Sequence, residues 1–464
     1  MVIPPAGILY FITVGYFFLK RQNLFTHLFF LCVLTEFFFR RAYLVGIGES
    51  YISLELCSQY LLVFYCVFHL RHINKKFLKC WLLLVLSYFV PIVLLALFPS
   101  DVLIASPTVT WDMILSGESS PVHPQISGHV FLMTVKFLLF GLVFLYIYQN
   151  WNFLNYKWAI EKFSKICNLF LFIGLFEFVL KNLFRLNEVW GDIMLLFFGE
   201  RESTVMEGRL RGDLYELTLF TQEASHYAYI LMVIIIIKLA DNILNKRKSK
   251  IDIFIIISLF LMAFSTSFSA VYMAISFFSI YLAYRWYIQK PKYMRYEKIL
   301  FMSAMFIILS SISVVIAINV DSFVFNRLIN LYDNFDELLT MDYGIGSAIG
   351  DFSTQIRLVS SIQTIRAWLV RPFFGFSLGT IDAHSGTAMF LSSVGLIGLF
   401  CWIRYYFFTI PLFKVLMPKL KLYCLGIFLF LIIHLLTGTF RSFFGITLFY
   451  FSISYCCIFS EKLK

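Results

Sequence analysis

Charged residues are scarce in this chain. Asp, Glu, Lys and Arg make up 14% of its 464 residues, whereas 60% are hydrophobic and 19% are aromatic. A soluble globular protein contains about 25% charged residues. The hydrophobic residues are gathered in long, nearly uninterrupted runs such as 78–98, 131–148 and 299–318. Each run is close to the ~20 residues that a helix needs to cross a bilayer. This scarcity of charge excludes a soluble fold.

The apolar runs also lack the polar and apolar alternation of a membrane strand. Backbone N–H and C=O groups in hydrocarbon must be paired within the spanning segment, so these runs predict helices. The sequence therefore predicts an all-α polytopic membrane protein, 1–464 forming a single integral membrane domain. We expect about 12–14 spans, near residues 4–19, 24–39, 51–69, 78–98, 129–149, 166–184, 225–240, 252–267, 268–285, 298–318, 386–406, 422–438 and 443–459. The first run has no charged segment before it and no cleavage site, and we expect it to be a retained span.

Several chemical motifs are missing. The nine cysteines lie in or beside apolar runs and form no CxxC pair, which argues against a disulfide framework or a cysteine metal site. DxD, HExxH and GxxxxGK[ST] are also absent. The sequence thus predicts no metal, no cofactor and no nucleotide site. The net charge of +11 lies mostly in short loops beside apolar runs, where it indicates orientation rather than nucleic-acid binding.

Positive charge in short loops predicts the topology. Three or more Lys and Arg residues fall in each of the loops 71–79, 156–165, 242–250, 285–298 and 414–421, which we expect to be cytoplasmic. The segments left outside are 99–128, 185–224 and 320–383. Extracytoplasmic loops of that length are usually functional or structured, whereas the cytoplasmic loops are short. We therefore expect the chemistry to face outward.

The outward loop 320–383 carries a candidate amphipathic helix. Apolar residues recur at helical spacing at Leu358, Ile362, Ile365 and Leu369. Arg357 and Arg371 flank one side of this stripe, and Arg366 flanks the other. The pattern predicts a helix at the bilayer surface whose guanidiniums meet phosphates. Ordinary anchoring to anionic lipid explains the same pattern equally well.

Other polar residues follow or precede this helix. Gly375 and Gly379 allow a tight turn and close approach of backbone N–H groups to an anion. His384 comes next, at the mouth of a span, where a histidine is either a polar anchor or a proton acceptor. The loop 185–224 contains Arg209, Arg211 and Glu223, which are either site residues or ordinary helix-terminal groups.

Charged residues also fall inside predicted spans, where they are costly. They are Glu36, Glu55, Lys136, Glu177, Lys181 and Lys238. Most lie within a turn or two of a boundary, so we expect long side chains to snorkel. No chain of central acids of the kind that a proton-driven transporter uses is present.

The stretch from Arg357 onward resembles the signature region of the bacterial O-antigen polymerase and O-antigen ligase superfamily. In that family an arginine is followed by a Trp, then Pro-x-x-Gly-x-Gly-x-Gly, His-Asn and Gly-x-x-Gly. The matching residues are Arg357, Trp368, Pro372, Gly375, Gly379, His384, Gly395 and Gly398. Upstream, Arg211-Gly212 and Glu223-Ala224-Ser225 are similar to elements of Wzy-type polymerases. Three positions depart from the pattern: Ser377 replaces Gly, Ser385 replaces Asn and Ala224 replaces Pro.

The resemblance implies a GT-C-like, metal-independent glycosyltransferase with large extracytoplasmic loops. Such an enzyme moves an oligosaccharide from undecaprenyl diphosphate to a sugar hydroxyl on the periplasmic side of the bacterial inner membrane. His384 is then the expected base, and Arg357 and Arg211 the expected stabilisers of the diphosphate. The expected substrate-binding residues are Arg209, Glu223, Arg366, Arg371, Gly375 and Gly379. The lipid-linked oligosaccharide and membrane lipids are the expected partners, with a chain-length regulator as an additional candidate.

Three functions remain open from the sequence. A polymerase adds the growing glycan to the next lipid-linked repeat, and the element Glu223-Ala224-Ser225 favours this reading. An O-antigen ligase instead transfers the glycan to lipid A-core. A lipid-linked oligosaccharide transporter would be expected to show related halves and discontinuous helices near the midplane, and we find neither pattern in the sequence.

Overall fold

The computed structural model describes residues 3–20, 23–39, 42–47, 50–70, 75–149, 156–198, 210–211, 214–219, 224–244, 252–265 and 352–406. Most of these residues are helical. The helices are α1 (Pro5–Lys20), α2 (Leu24–Phe38), α3 (Leu54–His69), α4 (Lys75–Leu97), α5 (Trp111–Leu115), α6 (Gly128–Gln149), α7 (Tyr156–Phe178), α8 (Asn187–Phe198), α9 (Ala224–Leu244), α10 (Ile253–Phe264), α11 (Phe352–Val370) and α12 (Gly386–Tyr406). At its end α7 continues into a π-helical turn, Val179–Leu183.

In the described part of the chain, two small antiparallel hairpins interrupt the helices. Strand β1 (Tyr43–Ile47) pairs with β2 (Ser50–Ser53), which leads directly into α3. Strand β3 (Leu210–Arg211) pairs with β4 (Leu214–Tyr215), placing Arg211 opposite Leu214. The sequence did not predict either hairpin, because strands this short carry no readable alternation.

The predicted spans up to residue 267, and the span 386–406, coincide with the helices α1 to α4, α6, α7, α9, α10 and α12. Among the residues that the structure describes, four stretches are long and apolar enough to cross a membrane: Leu78–Leu97, Gly128–Tyr146, Glu161–Leu183 and Gly386–Tyr406. The prediction of a mostly helical membrane protein is thus confirmed. The predicted spans 268–285, 298–318, 422–438 and 443–459 lie outside the described residues, and the total of 12–14 stays a prediction.

The helices pack as an interconnected bundle with apolar residues on both its inside and its outside. Contacts join α4 to α12, α2 to α3, α3 to α6, and α7 to both α9 and α10. The Tyr405 hydroxyl donates to the Gly141 carbonyl at 2.6 Å and ties α12 to α6. Leu86 on α4 and Phe400 on α12 are each 58% exposed. Exposed side chains of this kind suit contact with lipid.

Two of the lysines inside spans do not snorkel. Lys181 is 2% exposed and Lys238 is 3% exposed, so the expectation of snorkelling is wrong for both. Both have protein partners instead: Lys238 binds Ser164 of α7, and Lys181 binds Glu177 of its own helix and the Glu216 carbonyl. The Lys238 ammonium donates to the carbonyl and the hydroxyl of Ser164 at 2.7 and 2.9 Å, and that hydroxyl donates to Asp241 at 2.9 Å. Pairing offsets the cost of burying these groups.

Candidate functional site

His384 lies in the turn before α12 and contacts two other elements. Its backbone N–H donates to the Ser360 hydroxyl on α11 at 3.3 Å. Its Nε2 lies 3.7 Å from Oδ1 of Asp112 on α5, and the two side chains are 35% and 59% exposed respectively. His384 is therefore held at its backbone and next to a carboxylate, while its ring remains accessible to a ligand.

The segment 99–127, between α4 and α6, brings Asp112 to this position. The Trp111 indole N–H donates to the Asp382 carbonyl at 3.0 Å, and the Asp382 N–H donates to the Ala105 carbonyl at 3.0 Å. Buried Trp111 also packs with Ile356 and Val359 of α11. The loop is thus fixed to the turn that precedes His384 and to α11, and α5 places Asp112 beside the imidazole.

Helix α11 has a protein-facing side and an exposed side. The buried residues are Ile356, Val359, Ser360, Thr364 and Ala367. From the predicted apolar stripe, Ile365 is 44% exposed and Leu369 is 61% exposed. Ile365 and Leu369 therefore point away from the protein, whereas Ile356 and Val359 face it together with small and hydroxyl side chains. An arrangement of this kind suits a helix that rests on lipid.

The predicted arginines of this region occupy different places. The backbone of Arg357 lies one turn before Ser360 on α11. The side chain of Arg366 is exposed. Arg371 donates through Nη2 to the Phe98 carbonyl at the end of α4, and its guanidinium lies 5.2 Å from the Phe376 ring centroid. Burial lowers the pKa of Arg371, and the contacts of this residue join the loop after α11 to α4.

The loop after α11 adopts an unusual backbone at three alternate positions. Gly375, Ser377 and Gly379 have φ values of +68°, +86° and +81°. These are the three positions at which the resembled motif, Pro-x-x-Gly-x-Gly-x-Gly, has glycine. Left-handed φ is costly for residues with a Cβ. The conformation at Ser377 is thus the one that a glycine would adopt most easily.

This loop and α12 are joined through their backbones at Gly395. The residue interrupts α12 with φ +66° and ψ −172°. The N–H groups of Phe376 and Ser377 donate to the Ser392 and Ser393 carbonyls at 2.8 and 2.6 Å. In return, the N–H groups of Leu396 and Ile397 donate to the carbonyls of Pro372 and Phe373 at 2.9 and 3.1 Å. We call this four-bond contact the glycine clasp.

The glycine clasp determines which N–H groups of the loop remain for a ligand. Gly375 donates to the Arg371 carbonyl at 3.0 Å, and the next two N–H groups belong to the clasp. The close approach that Gly375 permits is therefore to the backbone of α12. Gly379 instead borders a small cleft, which is lined by His129 and Met133 of α6, by Leu378 and by Met389 and Phe390 of α12.

The predicted residue Arg211 lies in a different part of the chain. Arg211 ends β3, and the hairpin that contains it is held by the end of α7, since the Asn182 amide oxygen accepts the Tyr215 N–H at 2.7 Å. Arg209 and Glu223 lie outside the described residues. The described contacts thus bring His384 together with α5 and α11, and they place Arg211 on a separate hairpin.

Sequence reasoning missed Asp112 and Ser360 as neighbours of His384. Asp112 is one acid in a loop that had no motif, and Ser360 lies on the polar side of α11 with other hydroxyl residues. Both contacts depend on how distant segments dock. Within the described ranges no group of three or more His, Cys, Asp or Glu side chains is placed to hold a metal ion.

Comparison with protein-family models, with curated proteins and with solved structures finds no match to this chain. The resemblance therefore depends on the motif residues themselves and on the geometry described above.

Proposed function

We propose that the chain is an O-antigen polymerase, a GT-C-like glycosyltransferase that joins undecaprenyl-diphosphate-linked oligosaccharide repeats on the periplasmic side of a bacterial inner membrane. The observation that supports this most is the position of His384. It lies beside Asp112 and against α11, the helix that carries Arg357. A base and an arginine-bearing helix next to one another are what transfer from a lipid diphosphate requires.

The reaction would proceed by attack of an acceptor hydroxyl on the anomeric carbon of the donor. A C–O bond forms to the acceptor as the C–O bond to the diphosphate breaks, and the diphosphate leaves with the electron pair. The acceptor proton passes to His384. Since Nε2 faces Asp112, Nδ1 is the nitrogen that would receive it. The Asp112 carboxylate then stabilises the imidazolium.

The arginines would compensate the charge of the departing diphosphate. Arg357 on α11 and Arg211 on the β3–β4 hairpin are the first candidates, because a guanidinium binds two phosphate oxygens at once. Arg366 and Arg209 would contribute to donor binding, together with Glu223 and with Gly375 and Gly379 of the loop. Arg371 would act mainly by holding that loop against α4.

The loop backbone supports the same family resemblance. Residues 375, 377 and 379 all have positive φ, and they are the glycine positions of the resembled motif. A chain that matched the motif by chance would have no reason to keep a left-handed conformation at Ser377. The glycine clasp also gives Gly395, the first residue of Gly-x-x-Gly, a definite structural use.

Lipopolysaccharide from a strain lacking this chain tests the proposal. Loss of a polymerase leaves lipid A-core capped with one repeat, and this is the expected result. Bare core would identify a ligase, and accumulation of unexported lipid-linked repeats would identify a transporter. Purified protein should also convert lipid-linked repeats into longer lipid-linked chains without added metal, and failure to do so would contradict the proposal.

A further inference from the structure

A fully buried ion pair lies at the end of α7, where the helix passes into its π-turn. Glu177 is 0% exposed and Lys181 is 2% exposed, and Nζ of Lys181 lies 2.8 Å from Oε1 of Glu177. Burying two charges in a membrane protein is costly, and such charges usually have a function. A helix of this length does not need the pair for its own formation.

Both members of the pair also bind the segment that follows the β3–β4 hairpin. The Glu177 carboxylate accepts the N–H groups of Thr218 and Leu219 at 3.0 and 2.8 Å. The Lys181 ammonium donates to the Glu216 carbonyl at 3.2 Å. One carboxylate therefore receives three donors, and every one of these contacts to the segment is made to its backbone.

Asn182 extends this set of contacts into strand β4. Its side-chain oxygen accepts the Tyr215 N–H at 2.7 Å, and its side-chain nitrogen donates to the Tyr215 carbonyl at 3.3 Å. The π-turn explains how the neighbouring residues 181 and 182 can both take part. Because its hydrogen bonds run from residue i to i+5, residues four and five positions after Glu177 lie on the same side of the helix.

We propose that Glu177, Lys181 and Asn182, here called the α7 clamp, are positioning residues that fix the β3–β4 hairpin and with it Arg211. Two paired strands of two residues each are not stable alone, so the hairpin depends on what holds it. Electrostatic stabilisation of a leaving group requires a charge that is already in place. The role assigned to Arg211 rests on the proposed function, whereas the α7 clamp itself does not.

Hydrogen exchange measured by mass spectrometry on the protein in lipid nanodiscs tests the α7 clamp directly. In Glu177→Ala and Asn182→Ala we expect the peptide that covers 214–219 to exchange at least about tenfold faster than in the parent. Glu188→Ala, which removes an exposed acid on α8, is the matched control and should leave the peptide unchanged. Parent-like protection of α12 in each variant shows that the bundle is folded. Unchanged protection of 214–219 in both clamp variants would overturn the proposal.

Turnover of purified lipid-linked repeats tests the link to Arg211. Arg211→Ala and Glu177→Ala should each lower kcat/KM. The kcat/KM of the double variant should be no lower than that of the less active single variant. Non-additivity of this kind is expected when two residues act as one unit. If the reduction in kcat/KM of the double variant equals the product of the two single reductions, the positioning role is overturned. If the parent protein has no such activity, the proposed function fails, and the exchange result alone decides on the clamp.

Discussion

Nε2 of His384 lies 3.7 Å from Oδ1 of Asp112, and the two residues come from segments that are distant in the sequence. One precedes α12 and the other belongs to α5 in the loop after α4. Their proximity depends on Trp111, whose indole is bound to the carbonyl of Asp382. A short helix held by one buried tryptophan thus determines the electrostatic environment of the candidate base.

Replacement of His384 should abolish polymerisation if the ring takes a proton. A general base contributes about 10²–10⁴-fold to a rate, and we expect losses in that range for both His384→Ala and His384→Gln. The measurement is turnover of purified lipid-linked repeats at matched protein levels. Glutamine preserves size and hydrogen bonding, so near-parent turnover of His384→Gln would show that the histidine is only a polar anchor.

Loss of the Asp112 carboxylate should have a smaller effect. Because the pair is partly exposed and longer than a hydrogen bond, we expect Asp112→Asn to lower turnover by about tenfold. Asp101→Asn, which changes another exposed acid in the same loop, should be silent. The idea that Asp112 stabilises the imidazolium is wrong if the two variants behave alike.

Arg357 should be sensitive to a change that keeps its charge. Lysine carries the same charge but lacks the planar fork that binds two phosphate oxygens, so Arg357→Lys should lose most polymer. Polymer length on a gel and donor turnover provide the measurements. Arg366→Lys, on the exposed part of α11, is the comparison and should be mild. Full-length polymer from Arg357→Ala would remove this residue from the diphosphate site.

Alanine at Gly395 should destabilise the protein. A Cβ there would lie 2.3 Å from the carbonyl carbon and oxygen of Phe373, and the backbone has φ +66°. Backbone strain and overpacking together predict a loss of about 2–5 kcal/mol. Thermal unfolding in detergent should show it, with Gly191→Ala as a control, since a Cβ at Gly191 meets nothing within 4 Å. Equal melting temperatures would contradict the glycine clasp.

Replacement of Ser377 by glycine should instead stabilise the protein. Relief of the left-handed strain favours Ser377→Gly by about 1–2 kcal/mol. The substitution also removes a weak contact of the Ser377 hydroxyl, which lies 3.3 Å from the Thr380 hydroxyl. We expect a small net increase in the unfolding temperature. Ser377→Val should lower it markedly, because a β-branched residue tolerates positive φ least.

Reporter fusions test the orientation on which the site depends. An outward-active reporter joined after Ser353 should be active, and one joined after Lys248 should be inactive. A cytoplasmic reporter should give the reverse pattern at both positions. The opposite result would place the His384 region inside and exclude polymerisation outside the membrane.

The positions of the helices could be predicted because long apolar runs have few other ways to satisfy their backbone in lipid. This is why the predicted span 386–406 has the same bounds as α12 and the predicted span 78–98 differs from α4 by only a few residues. The contact of Asp112 with His384 could not be predicted, since it joins segments that are distant in sequence. The contact of Lys181 with the Glu216 carbonyl was missed for the same reason, because Glu216 belongs to the segment after β4.

The backbone bonds around Gly395 restrict where a residue can be inserted into the chain. Four backbone bonds pair residues 372, 373, 376 and 377 with 392, 393, 396 and 397, and none of them depends on side-chain identity. Apart from Gly375 and Gly395, where a Cβ would clash with backbone, side chains around the clasp can therefore vary as long as the spacing is kept. One extra residue between Phe373 and Phe376 would change the spacing between the acceptors 372 and 373 and the donors 376 and 377, so that the four bonds could not all form together. An extra residue between Thr380 and Ser385, where the chain turns outside the clasp, would leave all four pairs intact.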